Sequence, residues 1–214
     1  LSLPAKDLVP LLEPLTATDQ ATAAARRRLL DWDYRMTKHS VAAGIYNAWE
    51  ATLRRELEAR LVPAPYRDQV RLQVKQVVDR LLLPDGTFGA APVAGRDAFL
   101  LATLEQSVKR LQERFGANMD SWRLGRPGYK HVLIKHPLSN AVKPAVREQL
   151  DVGPAPRGGY GNTVNNTSGN DNQTHGATFR VLIDTGDWDR SLATNSPGQS
   201  GDPADTHYRN LFDS

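Results

Sequence analysis

The chain has 214 residues, enough for one large domain or two small ones with an apolar core. Hydrophobic residues make up 40% and charged residues 24%, and no run reaches the about 18 consecutive apolar residues that a membrane helix needs. Cysteine is absent, which excludes disulfides, thiolate metal sites and a cysteine nucleophile.

The net charge of +3 is unevenly distributed along the chain. Residues 1–150 carry 23 Lys+Arg against 16 Asp+Glu, whereas residues 151–214 carry 4 against 8. The basic runs 26–28 and 54–55 fall within amphipathic helical patterns with acids nearby, which is typical of solvated helix faces. We therefore expect neither a nucleic-acid nor a membrane partner.

Helical patterns dominate the beginning of the chain. Thr16 and Asp19 fit a capping box ahead of a first helix through Leu30. A second helix is predicted from about Ser40, because its apolar residues recur at every fourth position until Pro63: Val41, Ile45, Trp49, Leu53, Leu57 and Leu61.

Two further helices are predicted before residue 117. The third runs from about Tyr66 to Leu83 and has an apolar face formed by Val70, Val74, Val77, Val78, Leu81 and Leu82. The fourth starts at about Arg96 and ends at Phe115, with Gly116 as its C-terminal cap. This periodicity predicts a helical bundle and indicates no chemistry.

The pattern changes after Gly116. Residues 129–135 form a predicted strand, a short helix within 140–150 places Pro144 in its first turn, and 153–176 is predicted to be a long polar loop. Residues 178–184 alternate as a strand that is at least half buried, and 195–203 is again a loop. We predict an α+β fold, with a helical subdomain at 1–116 and a strand-and-loop segment at 117–214.

Motifs that carry chemistry are weak. The five histidines lack zinc-site spacing, and Asp184, Asp187 and Asp189 do not make a calcium loop. Gly198-Gln199-Ser200-Gly201 has the wrong spacing for a serine elbow. We therefore predict no metal site and no catalytic residue from the motifs alone.

Several strings along the chain resemble the penicillin acylase family of N-terminal nucleophile hydrolases. They are YKHVLIKHPL at 129–138, RGGYGNTVN at 157–165, ATFRVLID at 177–184, SPGQSGDP at 196–203 and His207-Tyr208, with LLDWD at 29–33 and IYNAW at 45–49 upstream. One departure is Asp205-Thr206, where many members have Ser-Pro. The order and spacing of these strings resemble those of the C-terminal portion of the family's β-chain.

The resemblance implies strands that complete an αββα core. It also implies a precursor that cleaves itself, so that a new N-terminal Ser attacks an amide with its own α-amino group as base. The implied substrates are N-acyl amides such as β-lactam antibiotics or acyl-homoserine lactones, and the implied compartment is the periplasm or the exterior. No signal peptide is visible in these residues.

The catalytic parts of the family are not matched here. Leu1 does not correspond to the nucleophile, and the oxyanion-hole Asn and the calcium ligands of the family are expected upstream. We therefore expect no cofactor in this segment, no activity of the segment alone, and the remainder of the same precursor as its partner: the α-chain and the N-terminal part of the β-chain.

Four polar residues are candidates for supporting the active site or binding substrate: Asn162, Thr163, Asn165 and Gln199. Their side chains could orient a catalytic group by hydrogen bonding. The favoured alternative is that they satisfy loop backbone groups. For the chain as a whole, the alternative to an acylase fragment is a free-standing, non-catalytic helical binding module, which requires the strand near 178–184 to pair within this chain. An open strand edge would favour the fragment, and a closed, fully satisfied sheet would favour the module.

Overall fold

A computed structural model describes residues 1–17, 19–177 and 179–213. They form two compact units. The first comprises Leu1–Arg126 with Asn162–Val164, and the second comprises Pro127–Gly161 with the described residues from Asn165 onward. The α+β prediction is confirmed, whereas the predicted domain boundary after residue 116 stays a prediction.

The first unit is helical. Its α-helices are α1 (Leu3–Leu8), α2 (Gln20–Leu30), α3 (Val41–Leu61), α4 (Val74–Leu82) and α5 (Pro92–Phe115). Short 3₁₀ turns lie between them at Val9–Leu12, Ala64–Tyr66, Gly86–Phe88 and Met119–Ser121. None of the helices within the described residues is both long and apolar enough to span a membrane.

Helix α3 is the centre of this unit. The Ser40 hydroxyl accepts a hydrogen bond from the Ala43 amide at 3.1 Å and caps its N-terminus. The predicted stripe is confirmed at Ile45, Trp49, Leu53 and Leu57, which are fully buried, whereas its two end residues, Val41 and Leu61, are half-buried. The other residues buried without measurable exposure include Leu8, Leu12, Leu29, Leu81, Leu100, Leu104 and Trp122.

Three helix predictions need correction. Helix α2 is capped by Asp19 alone, whose carboxylate accepts from the Thr22 amide at 2.8 Å, and Thr16 takes no part. Helix α4 begins at Val74, not at Tyr66, and a capping box between Gln73 and Gln76 marks its start. Helix α5 starts at Pro92, which occupies the first helical turn.

The apolar face predicted for the third helix is also only partly correct. Val77, Val78 and Leu81 are buried, whereas Val70 precedes α4 and is exposed, as is Leu82 at its last turn. The Leu72 amide instead donates to the Glu58 carboxylate at 2.8 Å, which satisfies a backbone group outside the helix.

The second unit contains two small antiparallel sheets. Strand β1 (His131–Ile134) pairs with β2 (Val152–Pro156), with an irregularity in register between Val132 and Ile134. Strand β3 (Phe179–Leu182) pairs with β4 (Leu192–Asn195) in regular register. Helix α6 (Pro144–Leu150) joins β1 to β2, and α7 (Asn210–Asp213) follows β4.

The strand predictions are confirmed in part. Strand β1 lies within 129–135, and Pro144 begins α6 as predicted. The loop predicted at 153–176 is wrong over its first residues, because β2 extends to Pro156, and strand β4 was missed. Prolines are tolerated in β2 because each strand of a two-stranded sheet is an edge strand.

The predicted burial of the strand at 178–184 is wrong. Phe179, Val181, Leu182 and Ile183 are all more than half exposed. Thr178, the first residue of that prediction, lies outside the described residues.

Candidate functional site

Asn162 and Thr163 belong to the first unit. The Asn162 side-chain amide donates to one oxygen of the Glu50 carboxylate at 3.4 Å, and the other oxygen of Glu50 accepts from the Tyr46 hydroxyl at 2.6 Å. Thr163 is half-buried and the following Val164 is fully exposed. Asn162 therefore lies against the polar side of α3.

Asn165 and Gln199 belong to the second unit. The Asn165 amide nitrogen donates to the Gly158 carbonyl at 3.4 Å, and its oxygen accepts from Arg180 at 2.9 Å. Gln199 is exposed and donates to the Gly198 carbonyl at 3.2 Å. These bonds agree with the alternative that the amides satisfy loop groups, and an active-site role stays a prediction for all four residues.

The second unit contains a cluster of charges that the sequence reasoning missed. Lys130, just before β1, and Arg157, just after β2, are 6% and 5% exposed. The Arg157 amide donates to the Lys130 carbonyl at 3.2 Å, so the two residues are neighbours across the sheet. In the sequence, Lys130 lies on the same face of a predicted apolar strand as Val132 and Ile134. A lysine on an apolar face is unusual, and this position could have predicted a buried charge.

Both cations donate to one segment of five residues, 167–171, which we call the acceptor segment. Arg157 donates to the Thr167 hydroxyl and to the carbonyls of Ser168 at 3.0 Å and Asn170 at 2.6 Å. Lys130 donates to the Gly169 carbonyl at 2.9 Å and forms an ion pair with Asp171 at 3.1 Å. Each residue of the segment therefore contributes one acceptor.

Burial lowers the pKa of the Arg157 guanidinium, and the negative charge of Asp171 partly opposes this effect. Arg157 hydrogen-bonds mainly to neutral groups, while its Nε is buried without a hydrogen-bond partner. A cation in such surroundings loses hydration, and the carbonyl oxygens have to compensate for that loss.

The residues after the acceptor segment are ordered by strand-like contacts. The Asn172 side chain accepts from the Leu133 amide at 2.8 Å and donates to the Leu133 carbonyl at 3.2 Å, so it imitates a neighbouring strand. Thr167 forms an antiparallel bridge with Gly176. The predicted irregular loop is thus fixed by side-chain hydrogen bonds that periodicity cannot reveal.

The acids near β3 hold turns. Asp184 accepts from the amides of Gly186 at 2.9 Å and Asp187 at 3.2 Å, and Asp187 accepts from Asp189 at 3.1 Å. In the described part of the chain, no group of three or more His, Asp or Glu side chains could hold a metal ion.

Ser2 has a structural position in the first unit. It is fully buried, its hydroxyl accepts from the Ala5 amide at 3.2 Å, and its own amide donates to the Tyr34 carbonyl at 2.8 Å. Ser2 therefore caps α1.

The first unit has a shallow depression of about 390 Å³. It contains none of the four predicted residues and is lined by Arg28, Asp31, Trp32, Asp33, Val41 and Ala42.

The sequence model described as penicillin amidase matches residues 1–214, and the chain belongs to that family. It is 32% identical over 198 residues to penicillin acylase 2 proenzyme of Pseudomonas sp. (strain SE83), covering 86% of this chain and 24% of that protein. It is 25% identical over 236 aligned residues to the acyl-homoserine lactone acylase QuiP of Pseudomonas aeruginosa, covering 96% of this chain and 28% of that protein. The chain thus spans about a quarter of the length of these relatives.

Proposed function

We propose that the chain is the C-terminal part of the β-chain of an acylase that hydrolyses N-acyl amide bonds. Membership of the penicillin amidase family supports the class of reaction. The names of the two relatives, a penicillin acylase and an acyl-homoserine lactone acylase, support small N-acyl compounds as substrates. Both relatives are about four times as long as this chain, which supports a role as one portion of a larger enzyme.

The observation that carries the proposal is the bare apolar surface of the β3–β4 hairpin. Its exposed residues are Phe179, Val181, Leu182, Ile183, Trp188 and Leu192, and each is between 51% and 72% exposed. An exposed apolar patch of this kind marks a surface that another element covers. Among the described residues, β3 and β4 pair only with each other, and an isolated two-stranded hairpin is marginally stable in water.

The hairpin exposes apolar side chains on both of its faces. The alternation places Phe179 and Val181 on one face and Leu182 on the other, where Leu182 pairs with Leu192. Arg180 shares the face of Leu182 and donates to the Asn165 side chain, so β3 is mainly apolar on the face of Phe179 and Val181, and an exposed face of this kind fits a sheet that a further layer covers. Strand β3 pairs with β4 within this chain, as the module alternative requires, but among the described residues the outer edges of this hairpin have no strand partner, which supports insertion into the αββα core of the longer enzyme.

The chemistry of the proposed enzyme depends on residues outside this chain. The family resemblance implies that an N-terminal Ser attacks the amide carbon while its own α-amino group takes the proton. Ser2 caps a helix and does not have that role. We propose that this portion walls the acyl pocket, that its partner is the remainder of a self-cleaving precursor, and that the enzyme is exported to the periplasm or beyond.

The test compares the 214-residue chain with the longer polypeptide that contains it. Both are assayed for amine release from a chromogenic phenylacetyl anilide and from acyl-homoserine lactones of several chain lengths. We expect turnover by the longer polypeptide and none by the chain alone, because the proposal places the reacting hydroxyl outside the chain. Robust turnover by the pure chain, or no turnover by the longer polypeptide with any N-acyl amide, contradicts the proposal.

A further inference from the structure

The two buried cations and the acceptor segment form one hydrogen-bonded unit. Arg157 and Lys130 donate to every residue from Thr167 to Asp171, through three carbonyls, one hydroxyl and one carboxylate. Asp171 is the one carboxylate in this set, and its side chain is 35% exposed. Most of the compensation for two buried positive charges therefore comes from backbone oxygens that have to point inward.

This arrangement couples the conformation of the segment to the guanidinium of Arg157. The two terminal nitrogens of a guanidinium lie in one plane, so their acceptors are constrained to matching directions. Without the cation, the carbonyls of Ser168 and Asn170 would be left buried or would have to turn toward water. A lysine at this position has one rotatable charge and cannot direct both sets of acceptors.

The same unit reaches Asn165 by two routes. Thr167, which contacts Arg157, lies two residues after Asn165 in the chain. The Asn165 amide also donates to the carbonyl of Gly158, the residue next to Arg157. At Gly159, where φ is +75°, a Cβ atom would lie 2.3 Å from the Asn165 carbonyl oxygen, so the two backbone segments are in close contact.

We propose that Arg157, assisted by Lys130, is a positioning residue that fixes residues 165–171 and thereby the direction of the Asn165 amide for catalysis. This inference rests on the proposed acylase function. Arg157 acts through Asn165 and needs no contact with the substrate, because its side chain donates to the Gly159 carbonyl and to the acceptor segment.

The first experiment measures turnover by the longer acylase with Arg157→Ala. We expect kcat to fall by roughly tenfold to a hundredfold, since small misplacements of an orienting group have effects of this size, while KM changes less. Free guanidinium ion at low millimolar concentration should restore part of the lost kcat, whereas methylammonium at the same concentration should not. Arg157→Lys should resemble Arg157→Ala.

Two further variants separate positioning from a general loss of folding. Arg209→Ala removes an exposed arginine that pairs with Asp213 in the second unit, and it should leave kcat unchanged. If Arg157→Ala does not fold, Thr167→Val takes its place in the test. It removes one acceptor of Arg157 with little change in shape, and it should decrease kcat by less than Arg157→Ala is expected to. Adding Asn165→Ala to Arg157→Ala should cost little more than either change alone, because the two residues act on one step.

The second experiment is independent of activity and uses the 214-residue chain. Amide hydrogen exchange of residues 165–171 should be faster in Arg157→Ala, should slow again with guanidinium ion, and should be unchanged in Arg209→Ala. Unchanged exchange in Arg157→Ala overturns the proposal. So does faster exchange in an active enzyme whose kcat remains at the wild-type value.

The two experiments also distinguish this inference from the proposed function. A longer polypeptide that hydrolyses no N-acyl amide overturns the proposed function and the role in catalysis. The exchange data would then still decide whether Arg157 fixes the segment.

Discussion

The first unit hides its large apolar side chains, whereas the β3–β4 hairpin of the second unit exposes them. Trp49 on α3 is fully buried and its indole N–H donates to the Thr103 hydroxyl at 3.2 Å. Trp188, in the turn between β3 and β4, is 72% exposed. Tryptophan is thus fully buried in the core of the first unit and exposed to solvent on the hairpin of the second.

The two units also differ in what stabilises them. Apolar burial between α3 and α5 dominates the first unit, with Leu53, Leu57, Leu100 and Leu104 fully buried. Around β1 and β2, the buried residues are mostly polar or tyrosine: Tyr129, Lys130, Ser139, Arg157, Tyr160, Thr167, Ser168 and Tyr208. The second unit therefore depends more on hydrogen bonds, which tolerate small changes in geometry poorly.

The largest effect is expected from a pair of matched tryptophan substitutions. Trp49→Ala should lower the free energy of unfolding by about 3–5 kcal/mol, because it leaves a large cavity in the core and removes the hydrogen bond from the indole to the Thr103 hydroxyl. Trp188→Ala should change it by less than about 0.5 kcal/mol, since the side chain is exposed. Chemical denaturation of the chain measures both. Equal changes in the free energy of unfolding for the two substitutions would contradict the claim that one tryptophan is buried and the other exposed.

A glycine pair tests how tightly the polar loop is fixed. Gly159→Ala should cost about 1–3 kcal/mol, because φ is +75° and the new Cβ would clash with the Asn165 carbonyl oxygen. Gly161→Ala is the matched control, since its Cβ would lie 3.8 Å from the Thr167 carbonyl oxygen, at ordinary contact distance. Denaturation curves for the two variants that superimpose would show that the loop is not held as described.

The second unit should also lose stability in acid through Asp151. The hydrogen bond from the Ser139 hydroxyl, and then that from the His136 amide, lower the pKa of this carboxyl below its usual 3.8. The folded state prefers the ionised form, so this stabilisation is present above pH 3.8 and is lost as the pH falls through the folded-state pKa. Asp151→Asn should therefore lose less unfolding free energy than the wild type as the pH falls. Chemical denaturation at several pH values between neutral and about pH 3, where carboxyl groups titrate, measures this loss. An identical acid profile in wild type and variant would count against this contribution.

The smallest effect on the isolated chain is expected on the hairpin. Leu182→Lys should change the free energy of unfolding by less than about 0.5 kcal/mol, because Leu182 is 72% exposed. In the longer polypeptide it should prevent recovery of folded enzyme, because a charge would enter the proposed core. Leu83→Lys, at the end of α4, is the control for an exposed leucine outside the hairpin. Normal yields of active Leu182→Lys enzyme would contradict the proposed insertion.

Sequence periodicity predicted the parts of the fold that depend on apolar burial within the chain. The stripe from Ile45 to Leu57 and the C-terminal cap at Gly116 follow local rules, and both were predicted correctly. The third helix was predicted to begin too early, since the Leu72 backbone amide donates to the Glu58 side chain and α4 begins only at Val74. Such contacts depend on tertiary position, which periodicity does not contain.

The candidate site was less accessible from sequence for two reasons. The roles of Lys130 and Arg157 depend on carbonyl groups of 167–171, and backbone groups leave no mark in the sequence. The burial of β3 was predicted from its alternation, yet the strand is exposed in this chain. The apolar pattern of β3 is explained if it is buried by residues beyond this chain, as the proposed function requires.

The most direct test of the account is amide hydrogen exchange across residues 179–195, measured in the 214-residue chain and in the longer polypeptide. We expect fast exchange in the chain, where β3 pairs with β4 alone among the described residues, and strong protection in the longer polypeptide, where both strands gain neighbours. Equal exchange in the two proteins, whether fast or slow, would contradict the claim that the rest of the enzyme covers the hairpin.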